Sequence, residues 1–171
     1  MLGIAVGSLG MAREAAPVLI AFDGSEVSRA AVRHAAELFA GRPAVLATVW
    51  EAGLAVAAMG QPDAMGMGML PQDPRTIETF DRLQRERAAT VAADGAELAR
   101  SVGLEAEAQA VPDEVDVADT LIDIARDRGA AVIVVGSHGI SGLRTRLLGS
   151  VSRKLLQHCD RPVLVVRDES A

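Results

Sequence analysis

At 171 residues and 17.8 kDa the chain is long enough for one domain with a full core, and its 50% hydrophobic content is that of a globular protein. A formal net charge of −6, with three Phe, one Trp and no Tyr to serve as stacking surfaces, argues against nucleic acid as a partner. The lone Cys159 excludes an internal disulfide and suits a reducing cytoplasm, and no run is long and apolar enough to span a bilayer.

Residues 1–16 read as a flexible tail. They are mildly apolar but lack the basic start and compact apolar centre of a signal peptide, and Met11 offers an alternative start. From residue 17 to 168 short apolar runs alternate with helical patterns, which predicts a single domain of βαβ units around a parallel sheet. The first strand is expected over Pro17 to Phe22. Asp23-Gly24-Ser25 then turns into a helix with Ser25 as N-cap, an apolar stripe of Val27, Ala31, Ala35, Leu38 and Phe39, and Gly41 at its end. Ala44 to Trp50 is the second strand. The connection 51–72 is unusually long and rich in Met, Gly and Pro, with Met59, Met65, Met67 and Met69 inside it. A long helix is expected to open at Asp73-Pro74 and close at Gly103, with Leu83, Val91, Leu98 and Val102 as its apolar positions. Leu104 to Ala110 is the third strand, Asp116 to Arg128 a helix with Val117, Leu121, Ile124 and Ala125 inward, and Ala131 to Val135 the fourth strand. Ser150 to His158 and Pro162 to Val166 supply the last helix and strand, and Cys159, at that helix end, reads as core packing.

Strand composition suggests the order in the sheet. Strands one, two and four are apolar throughout, as expected when helices cover both faces, whereas LEAEAQA alternates and belongs at an edge. An order of 3-2-1-4-5 reverses the winding between strands one and four, which places a ligand beyond the carboxyl ends of those two strands. Asp23 follows one and Gly136 the other. The same order leaves the apolar fifth strand, 162–166, on the opposite edge, where a homodimer would cover it.

The chemistry concentrates in GSHGISGLRTRLLGSVS, residues 136–152. Gly136 lets the chain leave the strand, Gly139 admits backbone close to an anion, and Gly149-Ser150 start a helix whose free N–H groups point at it. The hydroxyls of Ser150 and Ser152 can add bonds. From Gly136 to Cys159 there is no carboxylate, while Arg144, Arg146, Arg153 and Lys154 all fall inside that window. The spacing is neither a Walker A loop, which needs Lys after its second glycine, nor a GxGxxG dinucleotide fingerprint. Asp23 has a second reading as a simple Asx turn or cap. Arg144 and Arg146 either clamp an anion or solvate the loop. His138 has no second acid or nucleophile beside it, so it reads as a hydrogen-bond donor and no residue is assigned as catalytic. His34, within a helix, and His158, near a helix end, suggest no metal site.

The pattern G-x2-G-x9-G-[S/T], with VLIAFDGS at the start and RPVLVVR at the end, resembles the ATP-binding subgroup of the universal stress protein family over about Pro17 to Arg167. That resemblance implies a flavodoxin-like (adenine nucleotide alpha hydrolase-like) α/β fold, a five-stranded parallel sheet in the order 3-2-1-4-5 with helices on both faces. It further implies ATP, with Mg or Mn, at the strand ends, and a homodimer through strand 162–166. Carried over by position, Asp23 holds the ribose and lies near nucleotide-bound Mg. Ala21 and Val49 touch adenine or ribose, and Gly136, Gly139, Gly149, Ser150 and Val151, with Ser152, form the phosphate cradle beside His138. Where many members carry a glycine after the third strand, this chain has Val111-Pro112. The Met-rich connection then reads as an apolar flap over the adenine or against the dimer partner, in preference to a Cu(I) site. The expected function is that of a cytoplasmic, nucleotide-dependent regulatory protein of the stress response, recognised by a protein partner and not turning over its ligand. A slow ATPase, a cyclic AMP binder and a nucleotide-free structural dimer are the alternatives.

Overall fold

The computed structural model describes residues 15–51, 74–113, 116–139 and 148–167. In chain order these form β1 (Val18–Ala21), α1 (Glu26–Leu38), β2 (Pro43–Glu51), α2 (Pro74–Ser101), β3 (Glu105–Asp113), α3 (Val117–Asp127), β4 (Val132–Gly136), α4 (Ser150–His158) and β5 (Val163–Val166). All strand pairs are parallel and the sheet order is β3-β2-β1-β4-β5, as expected from the sequence.

Helices α1 and α2 cover one face and α3 and α4 the other. Alternate residues of each strand serve the two sides: Val18, Ile20, Leu46 and Val134 pack toward α1 and α2, while Leu19, Val45, Ile133 and Val135 pack toward α3 and α4. The turn into α1 follows its residue types closely. Gly24 takes a φ of 81°, which a side chain would strain, and the Ser25 hydroxyl accepts the Ser28 amide as N-cap at 3.2 Å.

Three expectations need correction. Strand β3 runs on through Val111, Pro112 and Asp113, paired in register with Val49, Trp50 and Glu51. An edge strand tolerates proline because the ladder on its outer side needs no donor. Leu38, placed in the stripe of α1, is 62% exposed. Leu83 of α2 and Val102, just past its end, likewise face outward, and the helix buries Ala88, Ala92, Ala96 and Ala99 with Gly95 instead. Small residues are required there because α2 lies close against Phe22: a Cβ on Gly95 would fall 2.6 Å from its ring. Cys159 is half-buried against the core beneath α3 and α4, its Sγ accepting the Arg161 amide at 3.4 Å.

Candidate functional site

Strands β1 and β4 end side by side at the point where the winding reverses, and a cavity of about 530 Å³ opens there between α3 and α4. Its size lies within the roughly 300–1,000 Å³ typical of small-molecule sites. Ala21, Asp23, Val49, Gly136, His138, Gly139, Gly149, Ser150, Val151 and Ser152 all line it. Residues more than a hundred positions apart in the chain thus meet on one surface. Val117 and Leu121 of α3 add an apolar wall, and Leu148 and Arg153 complete the rim near α4. The sequence marks Val117 and Leu121 only as the inward stripe of a helix, and nothing in that spacing separates a core wall from a cavity wall.

Asp23 combines two roles that the sequence offers as alternatives. Its Oδ1 accepts the Ser25 amide at 3.0 Å, an Asx turn that starts α1, while the side chain also faces the cavity. Oδ2 lies 2.8 Å from where a Cβ on Gly139 would stand, so a side chain at 139 would require this carboxylate to move. Gly136 is required by a different neighbour. A Cβ there would reach 2.8 Å from Cγ1 of Val27, buried in the first turn of α1.

At the start of α4 the structure uses the loop differently from the expectation. The Gly149 amide is not free; it donates to the Ser137 carbonyl at 2.7 Å. Ser152 is only 1% exposed, and its hydroxyl shares its one proton between the carbonyls of Ser137 and Gly149 at 3.2 and 3.1 Å. Both groups therefore fasten the helix to the end of β4. The first helical bond is Arg153 N–H to the Gly149 carbonyl, and N-cap Gly149 supplies no side-chain cap, so the amides of Ser150, Val151 and Ser152 stand ahead of the helical ladder on the cavity side. That end of the helix carries the positive pole of its dipole. His138 is half-buried at the rim with its Nδ1 3.0 Å from Ser137 Oγ.

The cations of the window divide. Lys154 does not turn to the cavity but to α3, 2.7 Å from Asp119 Oδ2 and 3.4 Å from Asp116 Oδ1. The hydrogen bond to Asp119 raises the Lys154 pKa above its ordinary value, against a smaller opposing effect of desolvation. At Asp116, desolvation is the largest influence and acts upward, but the Ala118 amide and Lys154 together outweigh it and hold the carboxyl below the usual range. Arg153 donates from Nη2 to the Leu148 carbonyl at 3.0 Å on the cavity rim. Arg144, Arg146 and the Met-rich connection lie outside the described residues.

The universal stress protein family model matches residues 15–167 of this chain. The chain belongs to the universal stress protein family. Universal stress protein YxiE of Bacillus subtilis is 31% identical over 150 residues, covering 88% of this chain and 97% of its own. Among solved structures, MJ0577 superposes with a TM-score of 0.71 at 22% identity, covering 92% of this chain and 99% of that one. The universal stress protein from Archaeoglobus fulgidus in complex with dAMP gives 0.59 at 21% identity, covering 90% and 98%. The same fold also recurs in a universal stress protein in complex with cAMP and in an Arabidopsis thaliana family protein with AMP bound, at TM-scores of 0.56 and 0.55 and identities of 22% and 17%. The G-x2-G-x9-G-[S/T] spacing noted in the sequence runs from the end of β4 to the start of α4, with Gly136, Gly139 and Gly149 as its three glycines. No helix among the described residues is long and apolar enough to cross a membrane.

Proposed function

We propose that this universal stress protein binds ATP in the cavity between α3 and α4 and that occupancy, not turnover, is its output. The observation that carries the reading is the meeting of Asp23, the three motif glycines and the uncapped first turn of α4 around one cavity. The amides of Ser150, Val151 and Ser152 take phosphate oxygens, helped by the dipole of α4. Gly139 and Gly149 line the cavity without side chains, and Gly136 lets the end of β4 lie close against Val27. Asp23 holds the ribose and lies near phosphate-bound Mg or Mn, and the apolar wall of Ala21, Val49, Val117 and Leu121 receives the base. Relatives of the same fold hold dAMP, cAMP and AMP, which supports an adenine nucleotide. Through this site a cytoplasmic partner protein reads nucleotide status in a stress response.

The assembly proposed is a homodimer through β5. That strand pairs with β4 along one side only, and Val163, Leu164 and Val165 are half-buried in the single chain, so a second copy would cover an apolar edge.

Titration calorimetry with ATP and Mg, together with the mass of the small molecule that co-purifies, tests the binding. A saturable isotherm and an adenine nucleotide mass are expected. Competition with cyclic AMP separates the second reading, which the cAMP-bound relative favours. Steady-state phosphate release on the order of 10 s⁻¹, abolished by His138→Ala, overturns the assignment of a binding protein.

A further inference from the structure

Helices α1, α3 and α4 all reach the cavity, α1 through Ser28, and among the described residues Lys154 joins α4 to α3. Val117 and Leu121 represent α3, while Ser150, Val151 and Ser152 represent α4. Lys154, just past the first turn of α4, reaches Asp119 at 2.7 Å and Asp116 at 3.4 Å, both at the start of α3. Asp116 is itself the N-cap of α3, accepting the Ala118 amide at 2.7 Å. Both helices begin here, and the dipole disfavours a cation beside a helix N-terminus. Lys154 therefore owes its place to the two carboxylates and not to either helix alone. The other polar ties on α4 run from Gly149 and Ser152 to the end of β4, while Leu155 packs α4 into the core cluster that holds Ala118 and Leu121 of α3; the ion pair adds a polar tie between the two helices.

We propose that Asp116, Asp119 and Lys154 are positioning residues for phosphate binding: by tying α4 to α3 they aim the amides of Ser150, Val151 and Ser152 into the cavity. This rests on the nucleotide reading above. None of the three residues lines the cavity, so they act through the helix and not by contact.

A purely electrostatic role and a positioning role differ in sign. Asp119→Asn removes a negative charge near the phosphate site and releases Lys154, so charge alone makes ATP bind more tightly. Positioning makes it bind more weakly, by about threefold to fivefold for a partly exposed ion pair, and leaves adenosine, which has no phosphate, unchanged. Lys154→Met should match Asp119→Asn, and Lys154→Arg should restore ATP affinity. Calorimetric titration of the full chain with ATP and with adenosine reads these outcomes. Amide hydrogen exchange in the nucleotide-free protein supplies a second measurement, with faster exchange expected in Asp119→Asn at Arg153, whose amide closes the first turn of α4 on the Gly149 carbonyl.

Tighter or unchanged ATP binding by Asp119→Asn overturns the proposal, as do equal losses for ATP and adenosine. Folded wild-type protein that binds neither ligand instead removes the nucleotide reading. In that event unchanged amide exchange in Asp119→Asn still overturns the tie between the helices, and faster exchange retains it.

Discussion

The two faces of the sheet are packed by different means. Against α1 and α2 the contact is sealed: a 28-residue helix presents alanines and Gly95, Phe22 is 2% exposed beneath it, and the Arg29 guanidinium lies 5.8 Å from the centre of that ring. Against α3 and α4 the helices have 11 and 9 residues, and a cavity remains at the carboxyl ends of the strands. The first face reaches the cavity through Phe22 and Ser28. The other ends in Gly136, Gly139 and Gly149, all three of which line the cavity. Stability and ligand binding are accordingly separable in this fold, and substitutions on the two faces should report on different quantities.

Leu46→Ala, on the sealed face and fully buried, removes a side chain from between β2 and its covering helices. Unfolding by urea should show a loss of about 2–5 kcal/mol, with the ATP isotherm of the folded protein unchanged. A matched loss of affinity would mean that the two faces are coupled through the sheet. The converse variant, Gly139→Val with Gly149→Val, fills the cavity side. Its new side chains meet Asp23 Oδ2 from one position and the Ser137 carbonyl from the other. ATP affinity should fall roughly 100-fold, or about 3 kcal/mol, and the co-purifying nucleotide should disappear, at a stability cost of about 1–3 kcal/mol. Retained wild-type binding would show that the glycine spaces do not belong to a ligand.

The same contrast explains what could be read before any coordinates. Strand order was legible because it depends on patterns carried by each strand separately: the alternation of LEAEAQA marks an edge, and the unbroken apolar runs of β1, β2 and β4 mark the centre. The membership of the cavity was legible too, since Asp23 and the loop glycines follow strand ends that the winding brings together. What each atom does there was not. The fate of the Gly149 amide depends on where the Ser137 carbonyl points, and the need for Gly136 depends on Val27, over a hundred residues earlier. Lys154 looks like a phosphate ligand in a window free of acids until the start of α3 brings Asp119 to it across 35 residues of chain, with Asp116 beside it. Leu83 fails for a related reason: helical periodicity gives the period of a stripe, but the close approach to Phe22 selects the alanine face, and Val102 falls past the end of the helix.

The smallest expected effect tests the rim between α3 and α4 through pH. Asp116 has its pKa lowered from an ordinary 3.8 in the folded chain, so its ion pair stabilises the protein above that value and loses this contribution as pH falls through the folded pKa. Lys154 has its pKa raised from 10.5, so its contribution is complete below 10.5 and disappears as pH climbs through the folded value. Asp116→Asn keeps an N-cap for α3 while discarding the charge. The stability difference between wild type and Asp116→Asn should therefore be flat from about pH 5 to pH 9 and shrink on the acid side below 3.8. Urea midpoints across that range measure it. A difference that grows toward low pH would mean that desolvation of Asp116, the largest single influence on it, outweighs the Ala118 amide and Lys154 together, and that the ion pair does not hold α4 to α3.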